Sequence, residues 1–359
     1  MAEEISKRFE AALYGGKPYV SGEQPERPGL IKLNSNENPY PPSPAVRAAV
    51  AGFDTDTLRL YPRADGGILR TGLADYHAVA RERVFVANGS DEVLALAFRA
   101  CFNTESPILF ADVTYSFYPV WCDLLRIPFR RVPVSGDLRL CAEDYAGANG
   151  GVVISNPNAP TSIGEGGDFA EKILSNNPDS VVILDEAYAD FADFSAVSLT
   201  ARYPNLLVTR SFSKSRSLAG MRIGYAVGGE RLIAALETVK DSFNSYPIDS
   251  AAIAAGAASL ADDAYYRSVI ETIKRTRDHA ARELRALGFD VPESSANFLF
   301  AGCGGAARAQ AFFAALREAG VLVRYFGGGR TADRLRISIG TPEEMKALLD
   351  CAAAFCRKA

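Results

Sequence analysis

Histidine and lysine are the scarce reactive residues of this chain, with two His and nine Lys among 359 residues. His77 in LADYHAVA and His279 in RTRDHAARELRAL lie in helical patterns with no nucleophile nearby in sequence. Ser-His hydrolysis and His-bound metal catalysis therefore lack their usual base or ligand. The six cysteines, at 101, 122, 141, 303, 351 and 356, form no CxxC pair. That pattern argues against structural zinc and for free thiols in a reducing compartment, hence the cytoplasm. Positive charge is not in excess either: the formal net charge of −4 provides no basic field for nucleic acid or anionic lipid. Long apolar runs are missing, since no stretch approaches the roughly 20 residues a membrane span needs. The opening MAEEISKRFEAALYGGK is charged and has no apolar signal core. What remains is an ordinary globular composition, 48% hydrophobic and 23% charged, in a chain long enough for a large domain plus a smaller one.

Against that scarcity one lysine stands out. In NLLVTRSFSKSRSLAGMRIGYAVGG, residues 205 to 229, the β-branched run LLVTR predicts a buried strand that ends in a polar SFSK turn. Lys214 then sits just past a strand, in the crevice where open α/β sheets bind ligands, with Ser211, Ser213 and Arg222 close by. An ordinary solvated ammonium is the alternative reading of this stretch by itself.

The rest of the chain alternates strand and helix. GLIKLNSNENPYPPSP, residues 29 to 44, is too rich in Asn and Pro for a long helix and predicts an irregular arm. Tyr61 in LRLYPRADGG is an exposed aromatic on a loop. VFVA at 84 to 87 reads as a strand, after which Gly89 and Ser90 precede a helix with Asp91 and Glu92 in its first turn, free N–H groups there suiting an anion. ILFA, FRRVPV, VVIS and VVIL read as further strands. After VVIS comes the rigid turn NPNAPTS with two amides, Asn156 and Asn158. VVIL runs into Asp185, a carboxylate at the end of an apolar strand that must be paired or hydrogen-bonded, whether by a ligand or by a buried salt bridge. Beyond Gly229 helical patterns dominate to Leu287, and VPESSANFLF, AARAQAFFAALREAG, VLVRYF and LRISIGT make a second α/β unit of strand, helix, strand, strand. No metal-ligand cluster is expected.

A lysine, an aspartate, a tyrosine, an amide and phosphate-seeking Ser and Arg at strand ends are the parts needed to hold pyridoxal 5'-phosphate. The motifs LNSNENPY with PPSP, ANGSDE, VTYSFY, NPNAPT, LDEAY, SFSKSRSLAGMRIGY and LRISIGT together resemble the fold type I pyridoxal-phosphate aminotransferases of class II, and within them the histidinol-phosphate aminotransferase family. The resemblance spans nearly the whole chain. It implies an α/β fold, with a large domain around a mainly parallel, seven-stranded type of sheet and a smaller α/β C-terminal domain. The expected divisions are 1–28 for an arm, 29–260 for the large domain and 261–359 for the small one.

Carried over residue by residue, the resemblance makes Lys214 the lysine that bonds the cofactor's aldehyde and moves the proton. It places Asp185 at the ring nitrogen and Tyr188 at the phenolic oxygen, with Tyr115 stacked on the ring. Ser211, Ser213, Arg222 and the backbone at Gly89, Ser90 and Asp91 would hold the phosphate. Tyr61 would reach the cofactor of a second subunit, implying a homodimer with shared sites. Tyr19, Asn36, Arg324 and Arg336 would bind substrate, Arg324 favouring a phosphate. The family usually has PNNPTG where this chain has Pro157, Asn158, Ala159, Pro160, Thr161 and Ser162. Asn158 is then the amide expected at the phenolic oxygen, with Asn156 as the other candidate. Arg63 and Arg330 have no assigned role. The activity implied is amino transfer between histidinol phosphate and 2-oxoglutarate, giving glutamate. The same fold also admits a threonine-phosphate decarboxylase or another aminotransferase, such as an aromatic one. A DNA-binding regulator is disfavoured, because only about 30 residues precede LNSNENPY.

Overall fold

Apolar runs such as VVIL read as unbroken because both faces of their sheet are covered, as happens when parallel strands carry helices on each side. The computed structural model describes residues 13–103 and 105–358; the expectations for residues 1–12 of the arm lie outside the described residues. Strands are labelled in chain order: β1 Ile31–Lys32, β2 Val84–Asn88, β3 Ile108–Ala111, β4 Phe129–Val132, β5 Gly151–Ser155, β6 Val182–Asp185, β7 Leu206–Ser211, β8 Ile223–Gly228, β9 Phe298–Gly302, β10 Val321–Leu322, β11 Arg324–Tyr325 and β12 Arg334–Ser338. The central sheet has seven strands in the order β2-β8-β7-β6-β5-β3-β4. Only β8 runs against its neighbours.

Side chains alternate across this sheet. Val152, Ile154, Val182, Leu184, Leu206 and Val208 pack on one face, while Val153, Ile183 and Leu207 pack on the other. Burying each such side chain contributes about 1.5–3 kcal/mol. The period of two thus fixes register, and a one-residue slip would exchange the two cores. The register Ser155↔Asp185↔Thr209 brings the carboxyl ends of β5, β6 and β7 level. That levelling creates the crevice the site occupies.

The second unit differs from its expected pattern. VLVRYF is not one strand: β10 pairs in parallel with β1, whereas β11 pairs antiparallel with β12, and β12 with β9. Residues 29 to 44 are accordingly not wholly irregular, because Ile31 and Lys32 find a partner at Val321 and Leu322. Leu33 packs into the apolar core formed by Leu299, Phe312, Leu335, Ile337 and Leu348. The segment that follows is therefore anchored before it enters the crevice. Among the described residues no helix is long and apolar enough to cross a membrane.

Candidate active site

Strand β6 ends in Asp185, which is buried and accepts a hydrogen bond from the Tyr118 hydroxyl at 2.8 Å and from the Ala187 N–H at 3.2 Å. Burial pushes this carboxyl up to about 6, against the opposing pull of the Tyr118 hydrogen bond. Among the described residues no salt bridge neutralises it; its neighbour Glu186 faces the other way, toward Arg210. Asp185 lines a cavity of about 500 Å³.

Strand β7 delivers Ser211, Ser213 and Lys214 to the same cavity. The Ser213 N–H donates to Ser211 Oγ at 3.0 Å, which tightens the turn. Lys214 Nζ lies 3.4 Å from the Ser35 carbonyl and 5.8 Å from the centre of the Tyr188 ring. The segment 34–38 wraps this lysine, since Asn38 Nδ2 donates to the carbonyls of Lys214 and Ser215.

The helix after β2 spans Gly89–Cys101, so Gly89 and Ser90 form its first turn instead of preceding it. Its N-cap is Asn88, whose side chain makes no capping bond; Glu92 instead accepts from the Asn88 N–H at 2.6 Å. The first-turn N–H groups thus remain available to an anion, in the positive end of the helix dipole. Arg222 lies against this turn so closely that a Cβ at Gly89 would fall 2.5 Å from its Nη2. A Cβ at Gly224 would sit 2.2 Å from the Gly89 carbonyl carbon, so glycine at both positions lets β8 and the helix start meet. Asp91 accepts from the Tyr115 hydroxyl at 2.8 Å and from Arg222 at 3.4 Å, aiming both side chains at the cavity mouth.

Arg336 occupies the far wall. Its Nη2 donates to the Asn34 carbonyl at 3.0 Å, its Nε has no partner among the described residues, and it faces the rings of Phe298 and Phe326. Burial lowers its pKa, opposed by the Tyr188 and Tyr19 hydroxyls and, among the described residues, by no carboxylate. A half-buried guanidinium left this way on the cavity wall is a ready site for the acidic end of a small molecule.

Several expected residues either lie outside the cavity or, like Asn36, line it with their polar groups already committed. Asn158 is buried and its amide is committed: Nδ2 donates to the Val113 carbonyl and to Thr161 Oγ1, and Oδ1 accepts from Thr114. Asn156 is likewise paired with the backbone of Glu165. Neither lines the cavity; Ala159 and Pro160 do. Arg324 lines it, but both terminal nitrogens donate to arm carbonyls, Val20 at 2.8 Å and Ser21 at 3.0 Å. Asn36 spends its amide on Tyr188 and Ser338. Tyr19 stacks on Phe117 with ring centres 4.2 Å apart and closes the cavity from the arm side. Tyr61, 81% exposed, stacks on Tyr246 outside this cavity. Arg330 bonds Asp112 and the carbonyls of Val134 and Ser135, and Arg63 pairs with Asp65. His77 is half-buried against the Tyr225 hydroxyl at 2.9 Å, with desolvation lowering it to about 4, and stands apart from the cavity. Sequence reading did not single out Tyr118, Asn38, Asn297 or Ser338. Only their three-dimensional neighbours mark them, because each reaches the site from a different element.

A seven-stranded sheet of this order, with a lysine, a buried aspartate and an uncapped helix start converging at its carboxyl edge, defines a class of transferase. Residues 28–351 match the family model for aminotransferase class I and II, and the chain belongs to that family. Among its relatives is the histidinol-phosphate aminotransferase of Chromohalobacter salexigens, 50% identical over 353 residues, covering 98% of this chain and 100% of that one. The structure of a histidinol-phosphate aminotransferase from Sinorhizobium meliloti in complex with pyridoxal-5'-phosphate superposes with a TM-score of 0.87 at 23% identity, covering 99% of both chains. The L-threonine-O-3-phosphate decarboxylase of Porphyromonas gingivalis reaches a TM-score of 0.78 at 21% identity, covering 91% of this chain and 100% of that one. These two structures share the fold.

Proposed function

We propose that this chain is a pyridoxal-phosphate aminotransferase that moves the amino group of L-histidinol phosphate to 2-oxoglutarate, a step of histidine biosynthesis. The observation that carries this reading is the convergence of one amine, one buried carboxylate and one anion cradle on a single cavity. The 50% identical relative of full length supports the substrate.

The residues fit the cofactor. When bound, pyridoxal phosphate supplies an aldehyde carbon and an electron-accepting ring. Lys214 would bond the aldehyde and carry the proton. Asp185 would hold the ring nitrogen's proton by a charge-assisted bond. Tyr188 would face the phenolic oxygen and Tyr115 the ring. Ser211, Ser213, Arg222 and the N–H groups at Gly89, Ser90 and Asp91 would grip the phosphate. Arg336 would bind the acidic end of each substrate, with Tyr19 closing over it. Arg324 is assigned here as the clasp that keeps the arm in place, which replaces the direct phosphate contact expected from the sequence.

Residues 29–260 and 261–359 would form the large and small domains, with Ile31–Leu33 packed on the small one. Tyr61 and the neighbouring exposed Leu58, Leu60, Phe243 and Tyr246 would face a second copy of the chain, giving a cytoplasmic homodimer with shared sites.

Asp185 gives a pH test. Its folded carboxyl keeps its proton to about pH 6, whereas an unfolded aspartate releases it near 3.8. The folded state therefore binds more protons between these values, and the cofactor-free protein loses stability as pH rises through that window. Pairing with a ring N–H relieves the penalty, roughly 3 kcal/mol for a two-unit shift. In calorimetry the gain in Tm on loading cofactor is expected to be larger at about pH 7.5 than at about pH 4.5; equal gains would remove Asp185 from the ring nitrogen. The activity itself is tested by turnover of purified protein with histidinol phosphate and 2-oxoglutarate, beside threonine phosphate. Glutamate formation with the first pair supports the proposal, and CO2 release from the last without amino transfer overturns it.

A further inference from the structure

Asn36 is buried and takes a left-handed backbone conformation, φ 54°, which asparagine tolerates better than most residues. Hydrogen bonds from two other elements hold it there. Its N–H donates to Ser338 Oγ at 2.8 Å, the Ser338 hydroxyl donates back to Oδ1 at 3.0 Å, and the Asn297 amide donates to its carbonyl at 3.0 Å. With Oδ1 occupied, Nδ2 donates to the Tyr188 hydroxyl at 2.9 Å.

A tyrosine hydroxyl has a single proton. Because the Tyr188 oxygen accepts from Asn36, its own proton must point elsewhere, and the open direction is the cavity that Tyr188 lines. The two amides of the NPNAPT turn are committed to other partners. Asn36 therefore provides the side-chain amide that reaches this hydroxyl.

We infer that Asn36, held by Ser338 and Asn297, is a positioning residue that turns the Tyr188 hydroxyl into a donor toward the cavity. This rests on the site reading above, in which Tyr188 faces the cofactor's phenolic oxygen. Ser338 and Arg336 alternate onto the same face of β12, and Arg336 grips Asn34 as Ser338 grips Asn36. One strand thus carries both the substrate-binding cation and the support for Tyr188. Other charged or titratable groups around Tyr188 are Lys214, at 5.8 Å from its ring, Arg336, Tyr19, Tyr115 and the nearby Asp185. Asn36 sets the direction of this hydroxyl without adding a charge.

A donor aimed at the phenolic oxygen favours its anionic form, so weakening that donor makes the oxygen more basic. The test is a pH titration of the visible band of the cofactor-loaded protein. Asn36→Ala is expected to raise the midpoint by roughly half to one unit, the equivalent of one modest hydrogen bond. Ser338→Ala is expected to shift it the same way by less. Asn36→Asp, whose carboxylate can only accept from Tyr188, should shift it at least as far as alanine and serves if the alanine variant does not fold. In a Tyr188→Phe background Asn36→Ala should move the midpoint no further. An unmoved midpoint, or an equal shift without the Tyr188 hydroxyl, overturns the inference and leaves the site reading standing. A missing lysine-linked band in the unmutated protein overturns both.

Discussion

Lys214→Ala is expected to lower kcat/KM for amino transfer by on the order of 10⁴-fold or more, because the variant loses both the covalent attachment and the proton carrier. Among the described residues, Lys214 is the one lysine that lines the cavity, so none of them offers a replacement amine. The anion cradle is independent of it: Ser211, Ser213, Arg222 and the Gly89–Cys101 helix start stay in place. Cofactor should still bind, but reversibly. Dialysis should remove it from the variant, and borohydride should no longer fix it to the chain. Activity within tenfold of the unmutated protein, or a borohydride-stable linkage in the variant, would take Lys214 out of the role.

The second large effect lies beneath that lysine. Arg210, on β7, is buried between Asp190, to which its Nη2 donates, and Glu186, 3.9 Å from its Nε. Asp190 also accepts from the Ser215 hydroxyl, the residue next to Lys214. Burial works to raise the carboxyl of Asp190, yet Arg210 and Arg216 outweigh it and hold the group below the usual range. Arg210→Met would leave the buried Glu186 and the half-buried Asp190 without the cation they share, with Arg216 still acting on Asp190. Breaking a buried pair from one side costs about 3–5 kcal/mol, and urea denaturation of the loaded protein should show a loss of that size. Adding Asp190→Asn should recover part of it, since one of the stranded charges is then gone. Asp190 stabilises the fold above the pKa of an unfolded aspartate, and that contribution fades as pH falls through its lower folded value. The loss caused by Arg210→Met should therefore shrink in acid. A pH-independent loss below about 1 kcal/mol would show that the pair is not the anchor of the lysine turn.

The sheet was legible because its code is redundant. Runs such as VVIS and VVIL, buried on both faces, announce a parallel strand whatever surrounds them, and Asp185 marks where the apolar run ends. Lys214 and Arg222 were legible for a similar reason, since both sit within a few residues of a strong strand signal. The edges of the site were harder. The interruption of VLVRYF at Val323 depends on the remote partner Ile31–Lys32, which no local pattern encodes. The amide of Asn158 looked available in one dimension, but the turn folds it onto Val113 and Thr161. Arg324 looked free until the arm's carbonyls reached it. Asn36 and Ser338, 302 positions apart, meet only because β12 and the arm pack together. Side chains fixed by their own strand were readable, whereas those fixed by a distant backbone were not.

The most direct measurement is a half-reaction followed in the visible spectrum of the loaded protein. Histidinol phosphate added alone should bleach the lysine-linked band, and 2-oxoglutarate added next should restore it while releasing one glutamate per site. A band that histidinol phosphate leaves unchanged, or that 2-oxoglutarate fails to restore, would contradict the account.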